Sequence, residues 1–137
     1  MRGEAAQVGK APAIGRRGRR GVLRFDPRRA DPRGWRLLEL VAAARRLEPR
    51  QLLGPDRGKA EIALARQLAM YLMHTQFSRI YSDVGRFFGR DRTTVSHACA
   101  LIEDLREERA FDEEVGALEA ALEGEAALAR EASRAAA

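Results

Sequence analysis

The 137-residue sequence predicts an all-α protein, a compact helical bundle organised around a helix-turn-helix, and three observations lead there. From Trp35 onward apolar residues recur every three to four positions. No stretch alternates apolar and polar residues as a half-buried strand would. Two of the periodic stretches are joined by a short turn that contains Gly89, which suits a pair of helices packed at an angle. No internal repeat competes with this reading.

Leu37, Leu40, Val41, Ala44 and Leu47 share one helical face, with Arg36, Glu39, Arg45 and Arg46 largely elsewhere, so an amphipathic helix runs from Trp35 to about Leu47. The stretch Glu48–Leu53 reads as a short helical turn with Pro49 near its start. Residues Gly54–Gly58 break the chain in a basic loop. Lys59 to about Thr75 is the clearest helix, its stripe formed by Ile62, Ala65, Leu68 or Ala69, Leu72 and Met73. Met70 and Met73 read as core filler. A shorter helix over 79–88 turns Ile80, Val84 and Phe87 or Phe88 inward, and Gly89 ends it. Asp91 is placed to cap a helix from Arg92 to about Arg109 with the stripe Val95, Ala98 or Cys99, Ile102 and Leu105. Helical spacing returns over 112–123 through Val115, Leu118 and Leu122, and the Ala-rich end is expected to fray. These elements divide the chain into a basic arm (1–34), a helical domain (35–123) and an Ala-rich tail (124–137).

Charge is unevenly spread along that plan. Residues 1–34 carry ten Arg and Lys against three acids, whereas residues 111–137 carry two against seven, within a chain of net charge +5. The run Gly15-Arg16-Arg17-Gly18-Arg19-Arg20-Gly21 is unable to build a core, so the arm is expected to be disordered. Three readings stay open for it: a tail that follows a polyanion, a solvated leader, or a start codon placed too far upstream. Cys99 is the single cysteine, which leaves no intramolecular disulfide and points to a reducing cytoplasm. No stretch approaches the roughly 18 apolar residues of a membrane span, and no apolar core of signal-peptide type follows the early Arg pairs.

The chemistry concentrates where the second helix of the pair begins. Arg90, Asp91, Arg92, Thr93 and Thr94 are residue types that suit a duplex: Arg spans guanine O6 and N7, Thr offers a hydroxyl and a methyl, and helix N-terminal amides attract phosphate. Val95 faces the core and so fixes which side is outward. The same residues would also serve simply as caps and solvated cations.

The string Arg90-Asp91-Arg92-Thr93-Thr94-Val95-Ser96-His97-Ala98-Cys99, followed by Ile102-Glu103 and Leu105-Arg106-Glu107, resembles the C-terminal DNA-binding domain of the bacterial chromosomal replication initiator family, DnaA. The likeness extends upstream through Ala65-Arg66-Gln67-Leu68-Ala69-Met70-Tyr71-Leu72 and more faintly to about Leu38. The resemblance implies double-stranded DNA as partner, with Asp91 and Thr93 contacting bases and Thr94 and His97 holding the backbone. It places Arg57 and Lys59 in a basic loop and matches Arg66 to an Arg of the next helix. Arg90 and Arg92 complete the expected DNA-binding set. Three departures stand out: Arg92 occupies a position where the family usually has His, Gly58 falls about where it sends an Arg into the minor groove, and Gly89 alone remains of a usual Gly pair in the turn.

The initiator also carries an ATPase, but this sequence has no Gly-x-x-x-x-Gly-Lys-Ser/Thr loop and no room for such a module. The expectation is therefore a stand-alone DNA reader on the nucleoid, regulating replication initiation or transcription by occupying sites. The initiator or its regulators are candidate protein partners. The rival expectation is an adaptor that kept the fold and lost box recognition. His74 and His97 lie on separate helices without a Cys or carboxylate set, and no Ser-His-Asp or Cys-His arrangement is evident, so neither a metal, a cofactor nor an enzymatic activity is expected.

Overall fold

The computed structural model describes residues 26–55 and 59–137. Residues 1–25 of the expected arm, and Arg57 of the expected basic loop, lie outside the described residues. The described elements are helices throughout: α1 (Pro27–Ala30), α2 (Pro32–Arg45), a 3-10 turn (Pro49–Leu53), α3 (Ala60–Phe77), α4 (Tyr81–Phe88), α5 (Arg92–Leu105) and α6 (Arg109–Ala136).

Residues 26–34 correct the sequence reading, which gave them to the arm. Asp26 and Asp31 each cap a helix, accepting from the Arg28 N–H at 3.1 Å and the Gly34 N–H at 3.0 Å, and each precedes a Pro at the first helical position. Pro there is pre-set for helix and lacks an N–H that would have no partner. Two Asp-Pro pairs amid Gly and Arg therefore start helices where composition suggested a loose segment. Asp31 is then bound by both Nη atoms of Arg79, which fastens the start of α2 to the α3–α4 junction.

Helix α3 is the centre of the bundle. Its residues Leu68 to Met73 are all buried, so this helix has little outward face beyond its ends, and both Leu68 and Ala69 belong to the core. Around it, α2 contributes Trp35, Leu37, Leu38, Val41 and Ala42, while α4 and α5 contribute Val84, Phe88, Val95, Ala98, Cys99 and Ile102. The α2 stripe is rotated from the expected one: Ala44 is exposed and Leu38 is buried. Ile80, expected inward, is 61 % exposed, because it is the extended residue before α4 rather than part of its first turn.

Helix α5 ends at Leu105, four residues short of expectation, and a turn over 106–108 leads into α6. Phe111, Val115, Leu118 and Leu122 seat that helix on the bundle. Arg106 fixes the angle. Its Nε donates to Asp112 at 2.6 Å, and its Nη1 donates to Glu119 at 2.8 Å and to the Tyr71 hydroxyl at 3.1 Å. Arg45 pairs with Glu114 at 3.0 Å and Arg36 with Glu125 at 2.9 Å, so α2 is tied along the same helix. Helix α6 thus continues past the expected boundary at 123, through Gly124 and into the segment read as a fraying tail. Among the described residues no helix is long and apolar enough to cross a membrane.

Candidate nucleic-acid interface

The sharp connection between α4 and α5 is made by two glycines with different tasks. Gly89 closes α4 in the left-handed region, at φ 69°, where a side chain is strained. Gly85, inside α4, lies against the connection itself: a Cβ there would strike the Arg90 carbonyl, and the Arg90 N–H donates to the Gly85 carbonyl at 2.9 Å. The sequence reading singled out Gly89 and missed Gly85, since a helix-internal glycine carries no turn signal and its role depends on a neighbour five residues on.

Asp91 caps α5 as expected, its Oδ1 accepting from the Thr94 N–H at 2.9 Å. That bond, more than any other influence, holds its carboxyl below the usual range. Asp91, Arg92, Thr93 and Thr94 are all exposed on the first turn, and His97 is exposed one turn on from Thr93 and Thr94. On the opposite face Val95, Ala98, Cys99 and Ile102 are buried against the bundle. The result is a polar N-terminal turn presented outward on a helix whose other side is locked. Burial pushes the Cys99 thiol up to about 11, with Glu103 adding to it, which suits a small core residue and not a nucleophile.

The remaining expected site residues divide. Lys59 is exposed and stands at the start of α3. Arg66 departs from the expected surface cation: it is 3 % exposed, with Nε donating to the Leu52 carbonyl at 2.6 Å and Nη2 to that of Gly54 at 2.9 Å. A stripe reading of α3 missed this because Arg66 lies beside the apolar face and its guanidinium folds onto backbone. Arg90 is half-buried, donating to the Phe88 carbonyl at 2.9 Å and the Gly54 carbonyl at 3.1 Å. Burial, and then the nearby Arg90 charge, bring Arg66 down to about 10, and burial lowers Arg90 as well. Two guanidiniums that meet on the Gly54 carbonyl thereby tie the loop after the 3-10 turn to the start of α5.

Residues 36–102 match the family model described as bacterial dnaA protein helix-turn-helix. This segment is a DnaA-type, DNA-binding helix-turn-helix domain. Curated chromosomal replication initiator proteins DnaA share it: 37 % identity over 84 residues with that of Thermus thermophilus, 41 % over 78 with that of Rhizobium meliloti, and 44 % over 59 with that of Bifidobacterium animalis subsp. lactis. These matches cover 61 %, 55 % and 42 % of this chain but only 19 %, 16 % and 10 % of the respective relatives. The DnaA-type domain thus takes in α2 from Arg36, the 3-10 turn, α3, α4 and most of α5, and a helix-turn-helix of this kind is a binding module rather than a catalytic one.

Proposed function

We propose that the protein binds double-stranded DNA sequence-specifically, with the first turn of α5 in the major groove, and that it regulates replication initiation or transcription by occupying its sites. One observation carries the reading: Arg92, Thr93, Thr94 and His97 are exposed together on the outer side of a helix whose inner side is anchored by Val95, Ala98 and Ile102. Arg92 and Thr93 contact base edges, Thr94 and His97 the backbone, and Asp91 both caps the helix and faces the groove. Lys59, with Arg57, approaches the adjacent backbone or minor groove. Arg66 and Arg90 act through position, holding the loop to the reading helix. The site of action is the nucleoid, in the cytoplasm.

Because Arg92 stands where the family usually has His, the preferred box is shifted toward guanine at one position, a contact that discriminates by about 1–3 kcal/mol. Selection from a random duplex pool tests this, and recovery of the unmodified DnaA box would refute the shift. Regulation by occupancy is tested on an origin fragment. Added protein should displace a DnaA initiator in proportion to its concentration, and Thr93→Ala should abolish the displacement. Initiator footprints that stay unchanged at saturating protein would remove that role.

A further inference from the structure

A second group of cations gathers beside the helix-turn-helix. Pro27 of α1, Arg50 and Leu53 of the 3-10 turn, and Arg86, Phe88 and Gly89 at the end of α4 line one cleft of about 390 Å³. Arg50 also shares one indole with a further guanidinium: the Arg28 carbon lies 5.3 Å from the Trp35 ring centroid and the Arg50 carbon 5.4 Å. Trp35 itself is buried and is held by its Nε1 donating to Glu39 at 3.1 Å, so it is a fixed support for both charges.

These arginines differ from those on the α6 side. Arg36, Arg45 and Arg106 are each paired with carboxylates of α6. Among the described residues neither Arg28 nor Arg50 makes an ion pair, and Arg86 pairs only with Asp83 on its own helix, with 74 % of its side chain exposed. The scaffold therefore holds three exposed cations near one another, and the carboxylates around them are already engaged: Asp26 caps α1, Glu39 takes the indole N–H and Arg36, and Asp83 pairs with Arg86. Like charges so placed repel one another, and a row of anions relieves that repulsion while releasing its own counterions.

The position of the group decides which polyanion. Gly54, directly after the turn that bears Arg50, accepts from Arg90, and Arg90 lies two residues before α5 begins. The cleft is therefore tied to the start of the reading helix. We propose that Arg28, Arg50 and Arg86 form a phosphate-binding edge that grips the duplex backbone flanking the base pairs read by α5. The edge rests on the DNA-binding reading above. It adds affinity and fixes orientation without reading sequence, and it enlarges the interface beyond the helix-turn-helix to a one-turn helix that precedes the matched domain.

The test uses the full chain with Arg28→Gln and Arg50→Gln together, which keeps much of each side chain over the indole and removes the charge. Titrated against a long duplex over a range of salt, this variant should lose roughly tenfold in affinity at moderate salt, and its log–log salt slope should fall by about 2 units, at ~0.9 per phosphate. Its ranking of different duplex sequences should be unchanged. The Arg28→Lys, Arg50→Lys pair should keep the wild-type slope, which separates lost charge from lost packing, and circular dichroism should show equal helix in all three. Arg92→Ala is the control for the reading helix. If Arg92→Ala weakens binding while the Gln pair binds as wild type does, the edge is refuted and the DNA reading stands. If neither variant alters binding, both fall. A loss confined to some sequences would mean that these arginines read bases and would overturn the proposal. So would unchanged duplex binding with lost binding to phosphatidylglycerol vesicles, which would assign the edge to a lipid surface.

Discussion

The two sides of this small bundle use arginine in opposite ways. On the α6 side Arg36, Arg45 and Arg106 are neutralised by Glu125, Glu114, Asp112 and Glu119, and what they supply is a fixed helix angle. On the side of the helix-turn-helix, Arg92 is exposed at the start of α5 and Arg28 and Arg50 rest on an indole instead of a carboxylate. The acidic C-terminal region thus cancels charge where the fold needs it, while Arg92, Arg28 and Arg50 keep theirs. Charge counted along the sequence shows a basic beginning and an acidic end, but only the packing shows which bases the acids silence.

If that division is correct, salt should separate the two sides. Duplex affinity should fall with a log–log slope of several units, at ~0.9 per phosphate contacted, while the thermal midpoint moves little. Titrations and melts over the same salt series check this, and an affinity that is flat from low to moderate salt would break the comparison. The next largest effect is expected at the connection between the sides' working parts. Gly85→Ala forces a methyl against the Arg90 carbonyl and should cost about 1–3 kcal/mol of stability, as overpacking does, and should weaken DNA binding as well by displacing α5. Chemical denaturation and a binding titration read the two consequences separately.

On the α6 side, Arg106→Gln leaves Asp112, Glu119 and the Tyr71 hydroxyl without their shared partner and should cost about 1–2 kcal/mol. Duplex affinity measured well below the melting temperature should not change, and a loss there would mean that α6 helps to aim α5. Acid should produce a smaller effect. Asp31 is pushed up by burial, but its bonds to Arg79 and Gly34 outweigh this, and Asp91 is lowered by its capping bond, so both fold with carboxyls below the ordinary aspartate value of 3.8. Their contribution is therefore complete above that value and is lost as pH falls through the lower folded values. Melts should be insensitive to these groups near neutrality and show their loss below about pH 4. The smallest effect belongs to Arg36→Ala, whose pair with Glu125 is about half-exposed and should contribute no more than ~0.5 kcal/mol.

What was legible in the sequence was whatever depended on near neighbours. The period of α3 and α5, the Asp91 cap, the Gly89 stop and the outward first turn of α5 all follow from spacings of three or four residues, and the structure places them so. What depended on distant partners was not legible. Arg66 looks like a surface cation until the carbonyls of Leu52 and Gly54 arrive to take its donors. Gly85 looks expendable until the chain turns back over it at Arg90. Two Asp-Pro starts were read as part of a loose arm because the surrounding Gly and Arg dominated the composition, and the extension of α6 was missed because Ala-rich sequence gives no stripe by which to recognise a face. Of the residues expected to touch DNA, Asp91, Arg92, Thr93, Thr94 and His97 are the legible kind, set by one helix and its cap, whereas the packing of Arg66 and Arg90 onto backbone carbonyls is not.

The central claim is that the first turn of α5 reads sequence. Its most direct test is an equilibrium titration, at one fixed salt concentration, of wild type and of Arg92→Ala with Thr93→Ala, each against the duplex selected from a random pool and a scrambled duplex of equal length. The account predicts that wild type prefers the selected duplex by at least about tenfold, that the double variant binds both duplexes equally and weakly, and that both proteins melt alike. A double variant that keeps the wild-type preference would contradict the claim and move the reading surface elsewhere on the protein.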